Sequence, residues 1–189
     1  KVAIDVYLSR GLSDRTDFFV RLHARDLIDN QNTLLDLMGS PMGKHLRNTN
    51  MSNSIKKKAN YVPGLAEELK TALKTPTDAG SKPYAIVIPI RKDAEWWLLN
   101  QSARMELMKE HTEASVPYLK TVARKLYHSS GLDDLDFITY FETAKLDDFN
   151  NLIIALERVK ENRHNRRFGN PTLIGTIRPL EEILEILAR

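Results

Sequence analysis

Tyr84-Ala85-Ile86-Val87-Ile88-Pro89-Ile90 is a near-continuous, β-branched apolar run of the kind a sheet buries. Outward from it the hydrophobic period changes segment by segment. A helix is predicted from Ala94 to about Glu110, a strand at Val122 to His128 and a turn at Ser129 to Asp134. A strand at Asp136 to Glu142, a helix at Leu146 to Val159 and a last strand at Thr172 to Ile177 complete the series. The order βαββαβ is that of a ferredoxin-like unit. Pro179 then opens a C-terminal helix with Leu180, Ile183, Leu184 and Leu187 on one stripe.

Upstream, Val2 to Leu8 reads as a strand, Asp17 to His23 as its hairpin partner across Gly11-Leu12-Ser13-Asp14, and Leu27 to Met38 as a helix. The chain is polar from Asn48 to Asn53, with a short strand expected near Ile55 to Tyr61 and a linker from Pro76 to Pro83. Tyr7-Leu8-Ser9-Arg10-Gly11-Leu12-Ser13-Asp14 echoes Tyr127-His128-Ser129-Ser130-Gly131-Leu132-Asp133-Asp134, and the same strand, turn, strand, helix order follows both. The expectation is therefore an α+β protein of two fused ferredoxin-like halves that form a dimeric α+β barrel. Residues 1–75 make the first half, 76–83 a linker, and 84–189 the second half with its C-terminal helix. Only ββαβ is found before the linker, so the first half is expected to lack its opening strand and helix. The abrupt start at Val2 points the same way.

A chain of 189 residues with 42% hydrophobic side chains can bury a core, which excludes disorder as its main state. Lys and Arg number 28 against 25 Asp and Glu, interspersed along the chain; nucleic acid is not expected as a partner. The densest basic clusters, Lys56-Lys57-Lys58 and Arg163-His164-Asn165-Arg166-Arg167, read as solvated or as facing an acidic group. Cysteine is absent, which rules out disulfides and thiolate ligands. No apolar run reaches the roughly 18 residues of a membrane span, and no membrane partner is expected.

Any bound transition metal must then sit on His, Tyr or carboxylate. Of His23, His45, His111, His128 and His164, His111 stands out because it is placed at the end of a helix with Leu107 and Met108 on its face, an apolar setting suited to a porphyrin. His128, beside a turn, is better read as a structural hydrogen bonder. A haem site needs a neutral imidazole on the iron, a carboxylate holding the other ring N–H, and a cation across the ring to govern a bound anion. By themselves, Glu161 reads as a solvated charge, Arg124 as an ion-pair partner of Asp133 or Asp134, and Lys92 as the basic end of a buried strand. Trp96 and Trp97 read as core or interface, and Asn60, Tyr61 and Val62 as a strand end entering a loop. Strand alternation puts Arg124 and Leu126 on one face, and Thr139 and Phe141 together on one face of the next strand.

Trp96-Trp97, Glu110-His111-Thr112, Arg124 to Ser129, Gly131-Leu132-Asp133-Asp134 and Asp136 to Thr143 together resemble the chlorite dismutase family, in its longer, typically pentameric branch. The resemblance covers essentially the whole chain, including Tyr7 to Asp17 and Val159-Lys160-Glu161-Asn162. It departs in two places: the family begins well upstream of Lys1, and Phe168 stands where a tryptophan is often found. The resemblance implies one haem b per subunit with His111 as axial iron ligand, Glu161 accepting the His111 ring N–H, and Lys92 in the same proximal network. It implies Trp96 near the proximal side, Trp97 towards a propionate or a neighbouring subunit, and Asn60, Tyr61 and Val62 hydrogen-bonding propionates. Arg124 becomes the distal catalytic residue, in an apolar box with Leu126, Thr139 and Phe141. The implied reaction converts the anion chlorite to chloride and dioxygen; a homopentamer and a periplasmic location are also implied, with the cytoplasm the alternative. Two other readings are a coproporphyrin-haem decarboxylase, whose members generally lack the distal arginine, and a non-catalytic haem carrier or sensor, which would need His111 but not Arg124.

Overall fold

The computed structural model describes residues 1–57, 66–74, 76–78 and 80–189. In chain order the elements are β1 (Ala3–Leu8), β2 (Phe18–His23), α1 (Leu27–Gly39), α2 (Glu67–Leu73), β3 (Tyr84–Lys92), α3 (Ala94–Leu98) and α4 (Gln101–Ser115). They continue with β4 (Val122–His128), β5 (Phe137–Thr143), α5 (Leu146–Glu157), β6 (Asn165–Phe168), β7 (Leu173–Ile177) and α6 (Leu180–Leu187). The fold is mixed α+β, and the strand pairings are antiparallel. Contacts divide the chain into two compact units, Lys1–Met51 with Ile174–Arg189, and Ser52–Leu173. None of the described helices is long and apolar enough to cross a membrane.

In the first unit β1 pairs along its whole length with β2, and its end pairs with β7 through Tyr7↔Ile177 and Leu8↔Thr176. Tyr7 stacks on Phe19 at 4.7 Å. Gly175 is required beneath that stack, because a Cβ there would lie 2.8 Å from the Phe19 ring. Ile183 of α6 is fully buried, and Arg10 donates to the Ile186 and Leu187 carbonyls at the end of that helix.

In the second unit the strand order is β6-β3-β5-β4, the ferredoxin-like arrangement in which the first strand of βαββαβ lies between the last and the third. The strand expected at Thr172 to Ile177 is present as Leu173–Ile177, and the chain carries a further strand that was not expected. That further strand is Asn165–Phe168, taken above for a solvated basic cluster, which pairs with β3, while Leu173–Ile177 pairs with β1. An edge strand is paired on one side only and tolerates the charged side chains that hid it. The helix expected from Ala94 to Glu110 is also two helices. The chain extends at Leu99, Asn100 caps the second by accepting from the Ala103 N–H at 2.9 Å, and α4 then runs on to Ser115, so His111 lies one turn inside the helix rather than at its end. Near Ile55 the expected strand is a single bridge, Ile55 exchanging backbone hydrogen bonds with His128; the remainder of that stretch falls largely outside the described residues.

The echoed sequences form the same turn twice. Leu12 and Ser13 donate to the Ser9 carbonyl, Leu132 and Asp133 to the Ser129 carbonyl, and Gly11 and Gly131 have φ of +85° and +78°. Ser9 and Ser129 are both buried.

Candidate functional site

The site is assembled from the end of β3, the helices α3 and α4, and the 3-10 turn Lys160–His164 that follows α5. β3 delivers Lys92, whose ammonium is buried, and whose backbone N–H donates to Asp136 Oδ2 at 2.7 Å. The next residue, Asp93, caps α3 by accepting from the Trp96 N–H at 2.7 Å. That first turn sets the Trp96 ring 4.5 Å beneath the Lys92 ammonium. α4 carries His111, and the turn carries Glu161.

The three titratable groups form one cluster. His111 Nδ1 lies 3.1 Å from Glu161 Oε2, the other Glu161 oxygen contacts the Lys92 ammonium, and Lys92 also donates to Asn165 Oδ1 at 2.6 Å. The turn is anchored once more by Glu110, which accepts from the Lys160 N–H at 3.2 Å. Burial pushes the Lys92 pKa down to about 8, with Asp93 and Asp136 opposing it; the Glu161 contact acts in the same sense as those carboxylates, and Lys92 is cationic at neutral pH. Burial, then the charges of Lys92 and Arg124, push His111 down to about 4. His111 is therefore neutral at pH 7, its Nδ1–H donated to Glu161, and its side chain is 32% exposed, against 8% for the Glu161 carboxylate. It lines a cleft with Ile90, Leu156, Asn162, Asn165 and Phe168.

The sheet supplies a second surface. Register pairs Arg124 with Phe141 and Phe141 with Ile86, then Leu126 with Thr139 and Thr139 with Ile88, so these side chains share one face. The Thr139 hydroxyl is turned onto the Ile88 carbonyl at 3.0 Å, and Phe141 is packed edge-on against Phe149 of α5. Arg124 is exposed and is the single cation of that row. Trp97 joins this face, stacked on Phe137 at 6.1 Å, while Trp96 is buried with Lys92. The two tryptophans thus serve different surfaces.

Of the residues singled out from the sequence, Lys92, Trp96, His111 and Glu161 form one contact cluster, and Arg124, Leu126, Thr139 and Phe141 one sheet face. Asn60, Tyr61 and Val62 lie outside the described residues. Sequence reading missed Asp93, Asn165, His164 and Arg104. His164 is 2% exposed and bonded through Nδ1 to Asp93. Arg104 donates to the carbonyls of Trp96, Trp97 and Leu99 and lies over both indole rings. Asp93, three residues before Trp96, was legible as a helix cap; the other three depend on tertiary placement.

The family model described as chlorite dismutase matches residues 1–178. A chlorite dismutase of Ideonella dechloratans is 43% identical over 100% of this chain and 67% of its own length. Structures of chlorite dismutase from Candidatus Nitrospira defluvii align with a TM-score of 0.97 at 58% identity, over 100% of this chain and 79% of that one. They include a complex with imidazole, substitutions of one arginine by glutamate, alanine and lysine, and substitutions at each of two adjacent tryptophans. The dimeric chlorite dismutase of Nitrobacter winogradskyi is more distant, with a TM-score of 0.57 and 28% identity over 69% of this chain and 81% of that one.

Proposed function

This chain belongs to the chlorite dismutase family and is a chlorite-degrading enzyme, and we propose that it does so with one haem b held by His111, releasing chloride and dioxygen. The observation that carries the haem reading is the His111–Glu161–Lys92 chain. A metal-ligating imidazole needs one nitrogen committed to an acceptor so that the other is left as ligand. Here Nδ1 is committed to Glu161, the acceptor is itself fixed by a buried ammonium, and the ring is neutral and open on one side. The cleft it lines includes Ile90, Leu156 and Phe168 beside Glu157, Asn162 and Asn165, and the three apolar side chains are surface of the kind a porphyrin packs against.

The haem, when bound, supplies the oxidation–reduction chemistry by which ClO2− becomes Cl− and O2, both oxygen atoms coming from chlorite. The chain's own residues do the rest. Glu161 accepts the Nδ1–H and gives the imidazole partial imidazolate character, and Lys92 keeps Glu161 ionised for that purpose. Arg124, in a row otherwise apolar or with its hydroxyl turned away, attracts the anion and retains the chlorine-oxide fragment until the two oxygens are joined.

Support for Arg124 and the tryptophans comes from the Nitrospira structures. The arginine substituted there stands as many residues beyond its tryptophan pair as Arg124 stands beyond Trp96-Trp97. Complexes of that relative with imidazole and with cyanide fit the same reading, since both are small ligands of haem iron. A homopentamer and a periplasmic location carry over from the family as parts of the proposal. Titrating the haem-free protein with ferric haem b tests it: a saturable absorbance change at one haem per chain, lost in His111→Ala, is the expected result. Equal binding by His111→Ala would overturn the ligand assignment.

A further inference from the structure

Asp93 and His164 are joined twice. The Asp93 N–H donates to the His164 carbonyl at 2.9 Å, and the His164 ring nitrogen Nδ1 lies 3.1 and 3.2 Å from the two Asp93 oxygens. The far ring nitrogen, Nε2, receives the Arg163 Nε–H at 3.3 Å. A guanidinium can only donate, so Nε2 is the acceptor, Nδ1 carries the proton, and His164 is the neutral tautomer that donates to Asp93. The His164 side chain is 2% exposed and its ring is tilted against Trp96 at 5.9 Å. A buried histidine bonded in this way to a partly exposed aspartate holds two segments at fixed separation.

The segments it holds are those that carry the site. Asp93 directly follows Lys92, and His164 follows Glu161 by three residues within one 3-10 turn. Asn165, next to His164, accepts from Lys92 Nζ and donates to Asn162 Oδ1 at 2.9 Å. Lys92 and Glu161 are long side chains with rotamer freedom of their own. Their backbones are set by the pair behind them.

We propose that the Asp93–His164 pair is a positioning device for Glu161: it locks the Lys160–His164 turn to the end of β3, so that the Glu161 carboxylate is held at His111 Nδ1. The pair acts through Glu161, and its effect on the axial imidazole rests on the haem reading given above. Removing it lets the turn drift, which leaves the imidazole with a weaker acceptor and less imidazolate character.

The test compares His164→Leu, His164→Asn and Glu161→Gln with the unaltered chain. Asn is the rescue variant, because its amide can donate near the Nδ1 position. Two readouts are taken. In the haem-free protein, imidazole 15N spectra report the fraction of His111 protonated at Nδ1, which is expected to fall in His164→Leu and to be largely restored in His164→Asn. In the haem-loaded protein the ferric/ferrous midpoint potential is expected to rise in His164→Leu most of the way to the Glu161→Gln value. A folded His164→Leu protein with the unaltered chain's His111 tautomer and potential overturns the proposal. If His164→Leu does not fold, Asp93→Asn keeps Oδ1 as the cap acceptor for Trp96 and turns the second oxygen, which faces His164 Nδ1, into an N–H donor; an unshifted tautomer and potential there overturn it equally. Failure of the unaltered chain to bind haem would instead count against the haem reading, while the haem-free spectra still decide the pairing.

Discussion

Glu161 Oε2 accepts the His111 Nδ1–H at 3.1 Å, and one residue earlier in each segment Glu110 accepts the Lys160 N–H at 3.2 Å. Two consecutive residues of α4 thus grip two consecutive residues of the turn, which holds the turn against the helix at two points.

The buried Lys92–Glu161 pair should show strong coupling. Glu161→Ala strands an ammonium whose side chain is 5% exposed, and loss of one partner of a buried pair costs about 3 kcal/mol. Urea unfolding of the haem-free protein is expected to show that loss, with part of it recovered in the double variant Lys92→Met, Glu161→Ala. Additive losses would mean that the two charges do not support one another.

His111 gives the haem-free protein a pH dependence of definite sign. Its folded pKa of about 4 lies below the ordinary value of 6.5, so between those values the unfolded chain binds a proton that the folded chain does not. Stability is then full above pH 6.5 and falls as pH drops towards 4. Urea midpoints at pH 7.5 and pH 5 should differ more for the unaltered chain than for His111→Leu. The same drop in both would assign the acid sensitivity elsewhere.

Arg124→Ala tests the electrostatic reach of the guanidinium. It lies on the exposed part of its strand and contributes to the depression of the His111 pKa. Its removal should raise that pKa, read by NMR of the haem-free protein. In the haem-loaded enzyme the same variant should release more hypochlorite per chlorite consumed and inactivate sooner. Unchanged hypochlorite release would remove Arg124 from its assigned role.

Arg104 should be visible in fluorescence, because the chain's two tryptophans are the pair it holds. Arg104→Met frees the three carbonyls at the end of α3 and both rings. Emission of the haem-free protein is expected to move to longer wavelength, with acrylamide quenching increased. An unaltered spectrum would show that the helix end holds without it.

The duplicated turn predicts equal penalties. A Cβ at Gly11 or Gly131 meets nothing within 4 Å, so only the left-handed backbone resists substitution, at about 1 to 2 kcal/mol. Gly11→Ala and Gly131→Ala should each lower the urea midpoint by that amount. A null effect at one of them would mean that its turn relaxes to another conformation.

The βαββαβ order was legible because hydrophobic period is a local property, and Tyr84 to Ile90 or Leu146 to Glu157 declares its element without reference to the rest of the chain. Asn165-Arg166-Arg167-Phe168 did not, because an edge strand needs no apolar alternation to be paired. The break at Leu99-Asn100 was written in the capping asparagine but masked by helix-forming residues on either side. In the site, fifty residues separate His111 from Glu161, and no spacing rule joins them; family resemblance supplied that pair and the structure its distance. Asp93–His164 and Lys92–Asn165 had neither signal, since both arise only when β6 is laid beside β3.

Dioxygen evolution on addition of chlorite, followed at an oxygen electrode with the haem-loaded protein and its His111→Ala variant, decides whether this chain joins the two oxygens of chlorite on a haem held by His111. Rapid release approaching one dioxygen per chlorite, abolished in the variant, is expected. Haem-loaded protein that consumes chlorite without releasing dioxygen, or a variant that releases it as fast as the unaltered chain, would contradict it.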